Sequence, residues 1–209
     1  MRPVILLFIT VFLLSDKLLA KQNTNYRYTY PERTHEWSEN FAHIGVVYLL
    51  SWGMYPIVLA DDIKTKGSTE NYKNNFGKLV FDRDEPYWNW GIHPLSGSML
   101  YLYYRTNGYT RSSSLAMAFV SSTLFEFTVE IYTEPASVQD LYQTPVIGSI
   151  VGLSLETLSL YLLNTNTLAG RIFGHILNPF TLFWFYDGKM RLTPAFNGRQ
   201  KGLIFMAEF

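Results

Sequence analysis

Residues 41–60 form a nearly continuous apolar run, closed on one side by Glu39-Asn40 and on the other by Asp61-Asp62. A helix of that length rises about 30 Å, the thickness of the hydrocarbon layer of a bilayer. Such a run either crosses lipid or is enclosed by other helices. Both outcomes commit this stretch to a helix, and the architecture expected for the chain is a membrane-associated bundle. Pro56 predicts a kink near the end of the run. The expected bundle hides this helix against the third and fourth helices and turns an aromatic face to lipid. A mean hydropathy of +0.02 fits a bundle that touches lipid better than a many-spanning membrane protein. The 15 Tyr, 15 Phe and 5 Trp suit both a core and a membrane interface, because Tyr and Trp pair an apolar body with a polar tip.

Two function classes fall away on composition. The formal net charge is zero and the basic residues are scattered, so nucleic acid is not an expected partner. There is no cysteine, which excludes disulfides and thiolate-bound metals. At the amino terminus Arg2 precedes an apolar run over 4–14, with small residues Ser15 and Ala20 after it. That run is too short to span a bilayer, so 1–20 reads as a signal peptide. The competing reading, an anchor extended to Leu19, would carry Asp16 and Lys17 into the span. The protein is therefore expected to be exported to the cell envelope. The outer membrane or its periplasmic face is favoured over the inner membrane.

The fold expected is mainly α, a compact bundle of about five helices, membrane-associated, with a short C-terminal β-hairpin. Residues 21–39 read as an extended arm, 40–187 as the helical domain and 188–209 as the hairpin. Residues 61–86 are polar and read as a loop. His93-Pro94 opens a second helix that stops at Asn107-Gly108. A third runs over 111–131, a fourth over 145–163, and a fifth over 168–186 with a kink at Asn178-Pro179. Strands around Asn197-Gly198 fit a hairpin turn. The terminal Phe209 resembles the ending of outer-membrane barrels, but one hairpin cannot close a barrel.

Two ladders stand out at steps of four residues. Ala118, Ser122, Glu126 and Glu130 climb one side of the third helix, and Gly148, Gly152 and Glu156 climb the fourth. Small residues let helix backbones approach closely, as Gly97 also would in the second helix. A carboxylate that continues such a seam lies between helices, where it must be paired, hydrogen-bonded or protonated. His93, Glu126, Glu130 and Asp140 are candidates for acid/base chemistry. His93, Glu126 and Glu130, with Asp140, are also candidates for a divalent metal held by nitrogen and oxygen. In the alternative, structural reading these groups form one polar network with Arg105, Tyr101, Ser122, Ser137 and Glu156. The nucleophile-elbow, phosphate-loop and dinucleotide motifs are all missing from the sequence.

The segment 89–101, with Arg105-Thr106-Asn107-Gly108, the Glu126/Glu130 pair, Pro135-Ala136-Ser137 before Asp140-Leu141, and Thr144-Pro145 before Gly148, resembles a bacterial family, domain of unknown function 3943. The resemblance spans about 40 to 185. It maps the family's positions onto His93, Gly97, Arg105, Glu126, Glu130, Ser137 and Asp140, and it implies one polar site without naming an activity. A fainter likeness is to VanZ-like membrane proteins. The leading expectation is a non-enzymatic envelope protein, without a cofactor, that binds membrane lipid or an envelope protein. The alternative is a membrane-surface, metal-dependent hydrolase of a lipid or glycolipid. The sequence does not decide the oligomeric state.

Overall fold

The computed structural model describes residues 26–28, 32–81, 85–165, 167–186, 190–197 and 200–207. Residues 1–20, read above as a signal peptide, the start of the arm and Phe209 lie outside the described residues. The architecture is mainly helical, with more helices than the expected five.

Helix α1 covers Trp37–Val58, beginning in a capping box formed by Glu36 and Glu39. Pro56 lies inside its last turn, and Leu59 breaks it from α2, Ala60–Lys66. Helix α3, Thr69–Asn75, follows at once. The loop expected over 61–86 is thus largely helical, and local electrostatics explains why. Asp61 and Asp62 start α2, Lys64 and Lys66 end it, and Lys66 lies 2.9 Å from Asp62 one turn back. Ser68 caps α3 by accepting a bond from Asn71 N. Gly77, at φ 73°, ends the segment in a conformation that favours glycine.

The second expected helix starts five residues early. A wide turn, Trp88–Ile92, runs directly into α4, His93–Thr106. Pro94 has no N–H to donate, and the His93 N–H reaches back to the Trp88 carbonyl. The same device recurs at Gln143–Ile147, which contains Pro145 and leads into α6, Gly148–Leu163. Between them lies α5, Arg111–Thr128, capped by Thr110 and continued by a tight turn, Glu130–Tyr132. Glu130 therefore leaves the regular helix that carries Glu126. The expected long fifth helix is α7, Leu168–Leu177, which stops at Asn178-Pro179 before a short turn, Thr181–Trp184.

Six strands occur among the described residues. β1, Arg27–Tyr28, pairs antiparallel with β4, Phe185–Tyr186. The arm therefore crosses to the far end of the sequence instead of standing free. β2, Leu79–Val80, pairs parallel with β3, Ala136–Ser137. β5, Met190–Asn197, and β6, Gln200–Ala207, lie antiparallel with Met190 opposite Ala207.

The core centres on α4, which packs most extensively on α6. Gly97 and Gly148 make that contact possible. A Cβ on Gly148 would lie 2.6 Å from Gly97 Cα, and one on Gly97 would collide with the Thr144 carbonyl. The small-residue seam thus joins the second and fourth expected helices, and not the third and fourth, which carry the two ladders. The rings of Tyr103, Tyr104 and Tyr109 with Val47 form a second buried cluster. Helix α1 is not hidden. Only Glu39, His43, Val47 and Tyr55 are buried on it, while Trp37, Phe41, Leu49 and Ile57 are each more than two-thirds exposed. Among the described residues, three helical stretches, Trp37–Val58, Arg111–Tyr132 and Asp140–Leu163, are long and apolar enough to cross a membrane.

Candidate functional site

The polar residues singled out in the sequence fall into two groups. The first is closed. Glu156 is fully buried on α6, and its Oε1 accepts a 2.9 Å bond from Arg105 Nε. The Arg105 Nη1 donates to Glu32 at 2.7 Å and to the Tyr109 carbonyl at 2.5 Å. Tyr101 donates to Glu156 Oε2 at 3.4 Å. Burial pushes the Tyr101 hydroxyl well above its ordinary pKa, and the Glu156 charge adds to that, so it stays a donor. This group ties the arm, α4 and α6 together.

The second group opens on a cleft of ≈ 550 Å³. His93, Glu126, Glu130, Ser122 and Thr144 line its polar end. The two proline-linked wide turns set this end up. The first carries His93 to the edge of α4, and the second holds Thr144 against it, with His93 Nδ1 3.2 Å from Thr144 Oγ1. On the other side His93 Nε2 lies 3.4 Å from Asp140 Oδ1. Ser137, held by the β2–β3 pairing, organises the carboxylates. Its backbone N–H donates to Glu126 Oε2 at 3.3 Å, and its Oγ accepts from Asp140 N at 3.3 Å and Gln139 N at 3.1 Å. The charge of Glu126 acts directly on Glu130, and Glu130 Oε2 has no hydrogen-bond partner among the described residues. The hydroxyl of Ser122 is likewise buried with no such partner.

A metal ion would find ligands here. His93, Glu126 and Asp140 each offer an atom, and the three atoms lie within 4.8 Å of one another. Of the expected site, His93, Glu126, Glu130, Asp140, Ser122 and Ser137 come together at this end. Arg105, Tyr101 and Glu156 belong to the closed group, and Gly97, Gly148 and Gly152 to the α4–α6 seam. Gly152 would place a Cβ 2.8 Å from the Tyr101 ring, so it seats that ring.

The opposite wall was not legible in the sequence. It comes from α1 and α2, through Val47, Ser51, Met54, Tyr55 and Val58, with Asp62 and Lys66 at one edge. Tyr55 fastens this wall to the site: its hydroxyl bonds Thr133 Oγ1 and reaches the Glu130 carbonyl at 3.5 Å. A tyrosine inside an apolar run is the one trace this left in the sequence.

Residues 78–180 match the sequence profile of the family described as Domain of unknown function (DUF3943). These residues are a DUF3943 domain. They hold the whole polar end of the cleft, whereas α1 and α2 lie before them. No curated protein and no solved structure matches the chain.

Proposed function

We propose that this DUF3943 protein sits in a membrane of the cell envelope and holds an amphiphilic, lipid-like molecule in the cleft. The polar end of the ligand lies against His93, Glu126 and Glu130. Its apolar part runs along Val47, Met54, Val58, Leu100 and Phe125. One observation carries this reading: a single cleft joins a His/carboxylate floor to an apolar wall on α1 whose Met54 and Val58 are more than half exposed at its mouth. A closed structural network needs no such opening, and ligand sites combine apolar walls with a few convergent polar groups in this way. An amphiphile can enter from lipid without leaving an apolar surrounding. Export, and residence in the outer membrane or at its periplasmic face, are part of the proposal.

Photoreactive phospholipid, irradiated in membranes containing the full chain, tests it. Adducts are expected on peptides carrying Met54, Leu100 or Phe125. Met54→Trp, which fills the cleft mouth from an exposed position, should reduce them severalfold. Labelling confined to the outer flank, at Phe41 and Leu49, would overturn the reading.

A further inference from the structure

The polar end of the cleft gathers several carboxyl groups around one imidazole. Glu130 faces the charges of Glu126, Glu134 and Asp140. Glu126 and Asp140 are almost fully buried, and Glu130 is 6% exposed. Carboxyls packed this closely share a proton or a cation. The imidazole of His93 borders the same space.

We propose that this end of the cleft is a divalent-metal site, with His93, Glu126 and Asp140 as ligands and Glu130 holding a metal-bound water. Two independent observations support it. The first is the convergence of one imidazole nitrogen and two carboxylate oxygens within 4.8 Å. The second is the buried Glu130 Oε2, which lines the same cleft and lacks a hydrogen-bond partner among the described residues. The ligand types suit zinc or manganese, which take imidazole and carboxylate together. Each ligand is also steadied from behind, as metal ligands are. Thr144 sits on His93 Nδ1, leaving Nε2 for the metal, and the Ser137 N–H holds Glu126. The Ser137 hydroxyl fixes the turn that starts at Asp140. Ligand atoms about 2.0–2.2 Å from one ion stand roughly 3.0–3.5 Å apart. Binding therefore draws these three side chains inward, a movement that rotation about their side-chain bonds supplies.

The site does not depend on the cleft holding an amphiphile. If the amphiphile reading also holds, the ion explains how an acidic cavity accepts an anionic, oxygen-rich headgroup, and it supplies the Lewis acid that the hydrolase alternative requires.

The test uses the full chain in detergent, stripped with a chelator, with no lipid added. Equilibrium dialysis against zinc alone and manganese alone should give one ion per chain for at least one of them. His93→Ala and Glu126→Gln should weaken binding by more than the roughly 10- to 100-fold that losing an outer-shell partner costs. Glu70→Ala, on α3 away from the cleft, should bind as the parent does. No stoichiometric binding, or undiminished binding by His93→Ala, overturns the proposal. The parent chain gives a second readout that needs no variant to fold: the ion should protect His93 from diethyl pyrocarbonate, read by peptide mass. An unprotected His93 in the ion-saturated protein overturns the proposal equally.

Discussion

The two polar groups differ most plainly at single residues. Arg105 and Glu156 neutralise each other inside the bundle, at 2.9 Å and with Glu156 fully buried. Removing one member of such a pair strands the other charge away from water. Arg105→Ala is therefore expected to cost roughly 3–5 kcal/mol. Glu126 is as deeply buried, but it borders a cleft, and its replacement by Gln keeps the shape and can still accept the Ser137 N–H. Glu126→Gln should lose far less than Arg105→Ala, since it leaves no charge without a counterion. Thermal unfolding in detergent checks the order. Equal losses for the two variants would mean that the second group is structural too.

At the level of elements, the seam between α4 and α6 governs the site, because both proline-linked turns hang from it. Gly148 lies against the Gly97 backbone, which cannot swing aside as a side chain can. Gly148→Ala should therefore destabilise by about 1–3 kcal/mol or more through overpacking. It should also separate Thr144 from His93. Gly45, on the exposed flank of α1, has nothing within 4 Å of an added Cβ. Gly45→Ala should be neutral or stabilising by about 0.5–1 kcal/mol through helix propensity alone. Denaturation of both variants, side by side, tests the contrast. A Gly148→Ala protein as stable as its parent would contradict the close approach.

Over the whole molecule, bare apolar surface is the dominant feature. Trp37, Phe41, Leu49 and Ile57 on α1, and Leu168, Ile172, Phe173 and Ile176 on α7, are all at least half exposed. Apolar surface on that scale is compatible with contact with lipid or a partner. A helix of 22 residues rises about 33 Å, enough to match the hydrocarbon layer. Membranes carrying the protein should retain it through alkaline carbonate, which strips peripheral proteins. Full release would contradict stable lipid contact.

Local sequence determined what depends on local chemistry. Helix α1 follows from its apolar run, and α5 starts at Thr110-Arg111 and α7 at Thr167-Leu168, where each threonine caps its helix. The spacing of glycines and carboxylates pointed to Gly148 as a packing residue and to Glu126 and Glu156 as interior ones. What it could not give is which helix meets which. The same glycine ladder serves any neighbour that offers a complementary small surface, so the pairing of α4 with α6 was set by the three-dimensional arrangement. The division of the polar residues has the same origin. Arg105 reaches Glu156 because the seam brings α4 and α6 together, and that leaves Glu126 and Glu130 to face α1 across a gap. Whether a buried carboxylate is paired or borders a cavity depends on groups far along the chain. Spacing within one helix records only which side a residue occupies, not what stands opposite it.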